Sequence, residues 1–480
     1  MKLPDKETKV NTDKHSQTLT GGIIWYGLSM FLVKGIGFIS TPIFTRVLSD
    51  TQYGQFSNMM SWASIFSVFL CLSLDTAYTS ARYDFDEDKD YFIYSIAVFG
   101  VFICFLGSLI VIALISPLSK LTSISSGYLI LMLAYLLSIP AFNVLQTYNR
   151  FSDNKRRYTV INIAMSVLVV VISIALVFLL SNKLLGRTLG YVGVHIVVSI
   201  YCFAMILKKR GKLKLEYLKY SLKVALPLIP YSLAQYLLGS SDIVMITKIC
   251  GEESTAIYSV GYTCAMLIGM FQTAIRQAWT PWFTTHLHDN EKNPCKRGVI
   301  LYISFMLILA FGACLLAPEI VLIIGGKKYT GAIELIPPVV IGCVFVSMSN
   351  ILCDVEIFEK KTKSMAIATM IAGVINIALN LMLIPKFGYI AAAYTTLIGY
   401  AAWFLIQYIY ICKIGYKWII SKLIIIAVSV VGIVLIALSF WIYQNSIVRY
   451  ILILICILMA AIMLCNKKTR TSIIYSIKDI

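Results

Sequence analysis

Residues 34–57 read KGIGFISTPIFTRVLSDTQYGQFS: the end of one apolar run, a short polar loop and the start of the next run. An apolar run of about 20 residues can cross the hydrocarbon layer of a bilayer as a helix. Runs of this kind, separated by short loops, continue along the whole chain. Because backbone groups find no water in hydrocarbon, we predict an all-α polytopic membrane protein.

The composition agrees with a membrane protein. The 480 residues are 59% hydrophobic and only 13% charged, whereas soluble domains are roughly half apolar and about a quarter charged. Hydropathy predicts about 14 transmembrane helices, with twelve as the alternative count. The predicted spans are 21–45, 54–80, 91–115, 126–149, 158–181, 188–207, 224–247, 255–284, 298–324, 331–357, 364–384, 388–411, 419–442 and 447–465.

The net charge of +18 reflects topology, and we expect no nucleic-acid partner. Thirty of the 41 Lys and Arg residues fall on the side of the N-terminus and nine on the opposite side, while Lys34 and Arg276 lie inside spans. By the positive-inside rule this bias predicts two cytoplasmic termini in the cell (inner) membrane. An even number of spans requires both termini to lie on one side of the membrane, which agrees with this prediction. The N-terminal tail is long and polar, so we expect no cleaved signal peptide.

A weak internal repeat predicts two lobes. Residues 45–50 read TRVLSD and residues 247–252 read TKICGE, and an aromatic–Ser pair follows each at 56–57 and 258–259, always at an offset of 202. Six spans separate the two copies, so both halves run in the same direction and are related by an axis along the membrane normal. Such a protein has a central cleft between its lobes.

The repeat and the loops give the expected domain organisation. We predict a cytoplasmic tail (1–20), an N-lobe of helices 1–6 (21–207), a cytoplasmic linker (208–223), a C-lobe of helices 7–12 (224–411), two peripheral helices (412–466) and a cytoplasmic tail (467–480). The linker reads KKRGKLKLEYLKYSLK and is either an amphipathic interfacial helix or a plain basic connector.

Ionisable residues at membrane depth are costly and usually face a cavity or a partner. Lys34 lies far from either end of its span and is followed by Gly35, Gly37 and Pro42, so it is a candidate for binding an anionic group in the cleft. The alternative is a structural lysine in a salt bridge.

Three further residues are candidates for substrate binding. Arg276 and Gln272 lie one turn apart in the eighth span, and a guanidinium suits phosphate because its N–H groups donate in pairs. Arg276 could instead reach the inner headgroups. Asp75 falls near the inner end of the second span, opposite Gln277 in the repeat, and is either part of a cleft-facing acid–base set or an interfacial carboxylate.

Asp242 is the candidate for coupling to an ion. It lies in the seventh span after Gly239, Ser240 and Ser241, and a carboxylate beside a broken helix is what a proton or sodium site needs. The alternatives are an ion pair with Lys248 or exposure at the outer end. Glu319, Glu334, Asp354 and Glu356 are expected at the membrane interface.

Signals for enzymatic chemistry are absent from the sequence. There is no GxxxxGK[ST], no HExxH and no GxSxG, and the predicted outer loops are short. We therefore expect no enzyme, no catalytic residues, no metal site and no cofactor.

Three segments resemble bacterial polysaccharide flippases, the O-antigen and capsule repeat-unit translocases of the multidrug/oligosaccharidyl-lipid/polysaccharide exporter superfamily. They are INIALNLMLIPKFGYIAAAYTTLIGY (Ile375–Tyr400), KGIGFISTPIFTRVLSDTQYGQFS (Lys34–Ser57) and SNILCDVEIFEKKTKS (Ser349–Ser364). The resemblance covers most of the chain up to about residue 411.

The resemblance implies two six-helix bundles around a V-shaped cleft, two peripheral helices and alternating access. It implies translocation of a polyprenyl-pyrophosphate-linked oligosaccharide from the inner to the outer leaflet, for lipopolysaccharide or capsule biosynthesis. The expected partners are that lipid-linked oligosaccharide, membrane lipids, H⁺ or Na⁺ and polysaccharide assembly proteins.

Three other readings stay open. An ion-coupled multidrug exporter of the same superfamily would rely on Asp75 and Asp242 more than on cations. A lipid II flippase is a close relative of the first reading. A membrane-embedded glycan polymerase or ligase would need a larger outer loop than the sequence contains.

Overall fold

The computed structural model describes residues 32–85, 87–152, 155–209 and 211–465. The predicted tails (1–20 and 467–480) and the first part of the first span (21–31) lie outside the described residues. Within the described ranges the regular secondary structure is entirely helical, which confirms the predicted all-α class.

The helices follow one another with short connections. The first, α1, is described over residues 32–47. It is followed by α2 (Asp50–Leu70), α3 (Tyr78–Asp84), α4 (Lys89–Ala113), α5 (Ile115–Thr122), α6 (Ser126–Phe151), α7 (Lys155–Leu179), α8 (Lys183–Leu207), α9 (Leu215–Ala225), α10 (Ile229–Cys250), α11 (Glu252–Ala265), α12 (Leu267–His288), α13 (Lys292–Leu315), α14 (Ala317–Ile324), α15 (Ile336–Phe358), α16 (Thr362–Phe387), α17 (Tyr389–Lys413), α18 (Lys422–Gln444) and α19 (Ser446–Cys465). Short 3₁₀ helices span Leu74–Ala77, Leu226–Leu228 and Lys327–Leu335.

Ten of the described helical segments are long and apolar enough to cross a membrane, or eleven if α2 and the helix after its bend form one span. The chain is therefore a multi-pass membrane protein. The bend between α2 and the helical segment Leu74–Asp84 measures 54°. It occurs at Leu72 and Ser73, whose φ angles of 52° and 45° interrupt the helix.

Two predicted spans are interrupted in the structure. Residues 255–284 form α11 and α12, which meet near Met266. Residues 298–324 form α13 and α14, and Pro318 stands in the first turn of α14, where a proline is tolerated because the first turn has no intrahelical donor to lose.

The helix starts reproduce the sequence repeat. Helix α2 begins at Asp50 after the N-cap Ser49, and α11 begins at Glu252 after the N-cap Gly251, which is again an offset of 202. Ser49 and Gln52 form a reciprocal capping box. Gly251 has a φ angle of 88°, a conformation that glycine adopts without steric cost.

The helices pack in two groups. Helices α2, α4, α6, α7 and α8 contact one another and form the first group. Helices α10 to α17 contact one another and form the second. Helix α2 also packs against α10 and α11 and so joins the groups. The approach is close, because a Cβ atom placed on Gly54 would lie 1.9 Å from the carbonyl oxygen of Glu252.

Hydrogen bonds join α1 and the loop after it to α14 and the 3₁₀ helix Lys327–Leu335, at the helix ends that the charge bias predicts to be outer. Arg46 Nη2 donates to the carbonyl of Ile323 at 2.9 Å, and Thr45 Oγ1 donates to the carbonyl of Ile324 at 2.7 Å. Lys328 Nζ donates to the carbonyl of Leu48 at 3.0 Å. These bonds, which we call the outer seal, close the space between the groups on this side.

At the opposite ends, which the charge bias predicts to be inner, helix α9 begins in the predicted linker (208–223) and ends two residues beyond it, at Ala225. Lys214 Nζ lies 2.7 Å from Asp88 Oδ2, and the hydroxyl of Tyr217 donates to the same oxygen at 2.7 Å. The Lys214 ammonium, with help from Tyr217, holds the pKa of the Asp88 carboxyl below its usual range. This contact attaches the linker to the start of α4.

Candidate functional site

Lys34 lies on α1 and points across to the second helix group. Its Nζ donates to Thr273 Oγ1 on α12 at 3.0 Å. Among the described residues Lys34 has no carboxylate partner, since its recorded contact is a neutral hydroxyl. The alternative of a structural lysine in a salt bridge is therefore not supported, and the ammonium has donors left for a further acceptor.

Arg276 lies on α12 and is held by α15. Its Nη1 donates to Asn350 Oδ1 and its Nη2 to Asp354 Oδ1, both at 2.9 Å. The Asp354 side chain is 1% exposed, whereas that of Arg276 is 33% exposed. The structure thus buries the Asp354 carboxylate between helices, while its expected depth at the membrane interface stays a prediction.

Lys34 contacts α12 one turn from Arg276. Thr273, the partner of Lys34, precedes Arg276 by three residues, which is a rise of about 4.5 Å along the helix, and residues with this spacing share a face. Gln272 is buried beside them, and its Nε2 has no hydrogen-bond partner among the described residues. An ammonium, a guanidinium and an amide donor at this position can together bind an anionic group.

Asp75 lies in the 3₁₀ helix Leu74–Ala77, directly after the bend in α2. Its Oδ2 accepts a hydrogen bond from Thr147 Oγ1 of α6 at 2.9 Å. No hydrogen bond or ion pair between described residues joins Asp75 to Arg276. Its recorded partner therefore belongs to its own helix group and not to the face of α12.

Asp242 is buried in the second helix group, where it is 2% exposed. Its carboxylate accepts hydrogen bonds from Tyr258 on α11 at 2.7 Å, from Asn380 on α16 at 2.5 Å and from Thr396 on α17. Neither an ion pair with Lys248 nor exposure at the outer end describes its environment.

The carboxylate of Asp242 belongs to a larger polar network. Ser241 Oγ donates to Asn376 Oδ1 at 3.3 Å, and Asn380 donates to the same oxygen at 3.2 Å. The recorded partners of Asp242 are all neutral, so no cation among the described residues balances its charge. A buried carboxylate is costly in that condition. A proton or a small cation would remove the cost.

Sequence reasoning found Lys34, Arg276 and Asp242 but missed most of their partners. Asn350 and Asp354 lie four residues apart in α15, and Asn376 and Asn380 are similarly spaced in α16. This spacing puts each pair on one helix face. The signal was readable as two polar residues on one face of an otherwise apolar span.

A family model described as polysaccharide biosynthesis protein matches residues 19–286, and the MatE family model matches residues 227–382. An uncharacterized membrane protein of Methanocaldococcus jannaschii is 22% identical over an alignment of 446 residues. The alignment covers 84% of this chain and 87% of that protein.

Solved structures share the fold. The lipid II flippase MurJ in an inward closed conformation has a TM-score of 0.67 at 15% identity, covering 89% of this chain and 100% of that one. The inward-facing conformation of a multidrug resistance MATE family transporter has a TM-score of 0.61 at 14% identity, covering 84% and 95%. At these identities the likeness is one of fold.

Proposed function

The chain belongs to the polysaccharide biosynthesis protein family of the multidrug/oligosaccharidyl-lipid/polysaccharide exporter superfamily, and we propose that it translocates a polyprenyl-pyrophosphate-linked oligosaccharide across the cytoplasmic membrane. The observation that carries the proposal is the convergence of Lys34 and Arg276 on one face of α12. A pyrophosphate cannot enter hydrocarbon unaided. The Lys34 ammonium, together with the Arg276 N–H groups that Asn350 and Asp354 do not use, offsets part of the loss of its hydration.

Alternating access supplies the movement in this proposal. The outer seal closes one end of the space between the helix groups, so the lipid-linked unit enters from the inner leaflet. Breaking the seal while the inner ends approach each other would expose the same cations to the outside. In this proposal the N-lobe (21–207) and C-lobe (224–411) are six-helix bundles, helices 13 and 14 are peripheral, and both termini are cytoplasmic. The chain then performs no covalent chemistry.

Asp242 is the proposed site of ion coupling. Its carboxylate, the Asn376 amide oxygen and the Thr396 hydroxyl present oxygen atoms around one buried position, and hard cations prefer oxygen ligands. Occupancy by H⁺ or Na⁺ neutralises the buried charge and ties α10 to α16 and α17. An ion gradient can in this way bias the conformation of the second lobe.

A multidrug exporter is the second candidate, because the MatE family model matches residues 227–382. A carboxylate facing the cleft would favour it, but Asp242 is enclosed and Asp75 is held by Thr147. A lipid II flippase would use the same cations for the same pyrophosphate, so the two flippase readings differ only in the sugar.

The test is made in cells from which the gene has been deleted. We expect loss of surface polysaccharide and accumulation of the lipid-linked unit on the inner leaflet. Wild type should restore transport and Lys34→Gln should not. Lys386→Gln serves as the matched control, because Lys386 is exposed in the last turn of α16. Normal polysaccharide together with increased sensitivity to cationic drugs would refute the flippase and favour the exporter.

A further inference from the structure

A polar cavity of about 260 Å³ lies between the first helix group and α10. Side chains from α2, α6, α7, α8 and α10 line it, among them Ser64, Ser67, Tyr135, Asn143, His195 and Tyr236. We propose that this cavity binds a neutral sugar ring of the lipid-linked substrate. The inference rests on the proposed function, which leaves the sugar unassigned.

The cavity offers free hydrogen-bonding groups. The amide of Asn143 makes no hydrogen bond to another described residue, so it can both donate to and accept from a hydroxyl. His195 Nδ1 contacts the carbonyl of Tyr191 at 2.7 Å. A carbonyl accepts only, so Nδ1 carries the hydrogen, and Nε2 of the neutral ring is left as an acceptor.

Four serines also line the cavity, and two of them, Ser64 and Ser67, lie on α2. Ser64 donates to the carbonyl of Met60 at 3.0 Å, and Ser67 donates to the carbonyl of Ser64 at 2.7 Å. Each hydroxyl hydrogen is thereby used, and each oxygen keeps lone pairs that can accept from a ligand. The cavity therefore suits a ligand with several hydroxyl groups, which displaces water and replaces its hydrogen bonds.

The absence of charged lining residues and the small volume of the cavity favour an uncharged ligand of about one ring. None of the described lining residues is Asp, Glu, Lys or Arg, so a charged group there would lose its hydration without an ion partner. Rings of Tyr135, Phe142 and Tyr236 present apolar faces against which a ring can pack. The volume falls just below the roughly 300 Å³ at which drug-sized pockets begin, so it suits a single ring.

The cavity lies at the depth of the cationic face. At a rise of 1.5 Å per residue, Lys34 lies about 20 Å below the outer end of α1. By the same measure Ser64 lies about 21 Å below the outer start of α2, and Tyr236 about 21 Å below the outer end of α10. A pyrophosphate held by Lys34 would therefore present its first sugar at the level of the cavity.

The experiment measures lipid binding to the purified full chain in nanodiscs. The probes are undecaprenyl pyrophosphate and the same lipid carrying one glucose, galactose, N-acetylglucosamine or glucuronic acid. We expect at least one neutral sugar to tighten binding about tenfold, the effect of one or two well-made hydrogen bonds. Glucuronic acid should bring no gain.

The variants separate the cavity from the cationic face. Asn143→Ala and the cavity-filling Ser67→Phe should remove most of the gain from the sugar and leave binding of the bare lipid unchanged. Lys34→Gln should weaken binding of the bare and the neutral-sugar lipids by the same factor. Asn162→Ala, at a half-buried asparagine outside the cavity lining, is the matched control and should match wild type.

Two results would overturn the inference in different ways. If wild type binds the bare lipid and no neutral sugar improves binding, or if Asn143→Ala weakens bare and glycosylated lipid equally, the sugar site is refuted and the proposed function stands. If wild type binds none of the lipids, the proposed function fails and the sugar site fails with it.

Discussion

Removing Arg276 should destabilise the protein more than removing its partner Asp354. The reason is the difference in exposure, since the Asp354 side chain is 1% exposed and that of Arg276 33%. Arg276→Ala leaves a buried carboxylate with the weak 3.3 Å hydrogen bond from Thr280. Breaking a buried ion pair in this way costs about 3–5 kcal/mol. Asp354→Ala leaves a guanidinium that reaches solvent and keeps Asn350, so its cost is that of a lost hydrogen bond to a charged group, about 1.5–3 kcal/mol.

The double variant tests whether the loss in Arg276→Ala comes from the unpaired Asp354 carboxylate. Arg276→Ala with Asp354→Ala contains no buried charge at this position, so its loss of stability should be smaller than the sum of the two single losses, by a coupling of roughly 1–3 kcal/mol. Thermal unfolding of the full chain in nanodiscs ranks the variants. Arg297→Ala, at an exposed inner arginine, is the control. Equal losses from the two single variants, or strictly additive losses in the double variant, would refute the reasoning.

Three further predictions concern other parts of the molecule. Asp242→Asn should abolish any increase in thermal stability that Na⁺ or a proton gives wild type, and retention of that increase would exclude Asp242 as the ion site. Gly54→Leu should prevent close packing against the Glu252 carbonyl. Cysteines introduced at the outer ends of α1 and α14 should therefore cross-link more slowly in the Gly54→Leu protein than in the protein that keeps Gly54, and an unchanged rate would contradict this. The pKa of Asp88 is lowered in the folded protein, so its contribution is present above the unfolded value of about 3.9 and is lost as pH falls through the lower folded value. After correction for the activity of trypsin, the linker of wild type should therefore be cut no faster at pH 6 than at pH 8. The linker of Asp88→Asn should be cut faster than that of wild type. Faster cutting of wild type at pH 6 than at pH 8 would count against the Asp88–Lys214 contact.

Much of the fold was predictable because the bilayer permits few structures. Apolar length located the spans, and the repeat at an offset of 202 located the starts of α2 and α11 at Asp50 and Glu252. The interruptions were harder to predict. Pro318 marks the break before α14, but the positive φ angles at Leu72 and Ser73 fall on residue types that do not signal a break.

The candidate site was predictable only one residue at a time. An isolated cation within a span is visible in sequence, and so Lys34 and Arg276 were found. Their partners Thr273 and Asp354 depend on which helix faces which, and Arg276 and Asp354 are 78 residues apart. That pairing is a result of tertiary packing and has no local pattern.

The chemistry of the outer seal determines which of its residues can be substituted during evolution without loss of its hydrogen bonds. Arg46, Thr45 and Lys328 donate to backbone carbonyls, and every amino acid supplies a carbonyl. The accepting positions Leu48, Ile323 and Ile324 can therefore be replaced by other apolar residues without losing the bonds. A substitution at Arg46 or Thr45 changes the strength of the seal by itself. Lys328 also pairs with Asp50 Oδ1 at 2.7 Å, so a substitution there removes an ion pair as well. In the proposed transport cycle, single substitutions can therefore adjust the rate at which the protein opens to the outside without changing the cationic face of α12.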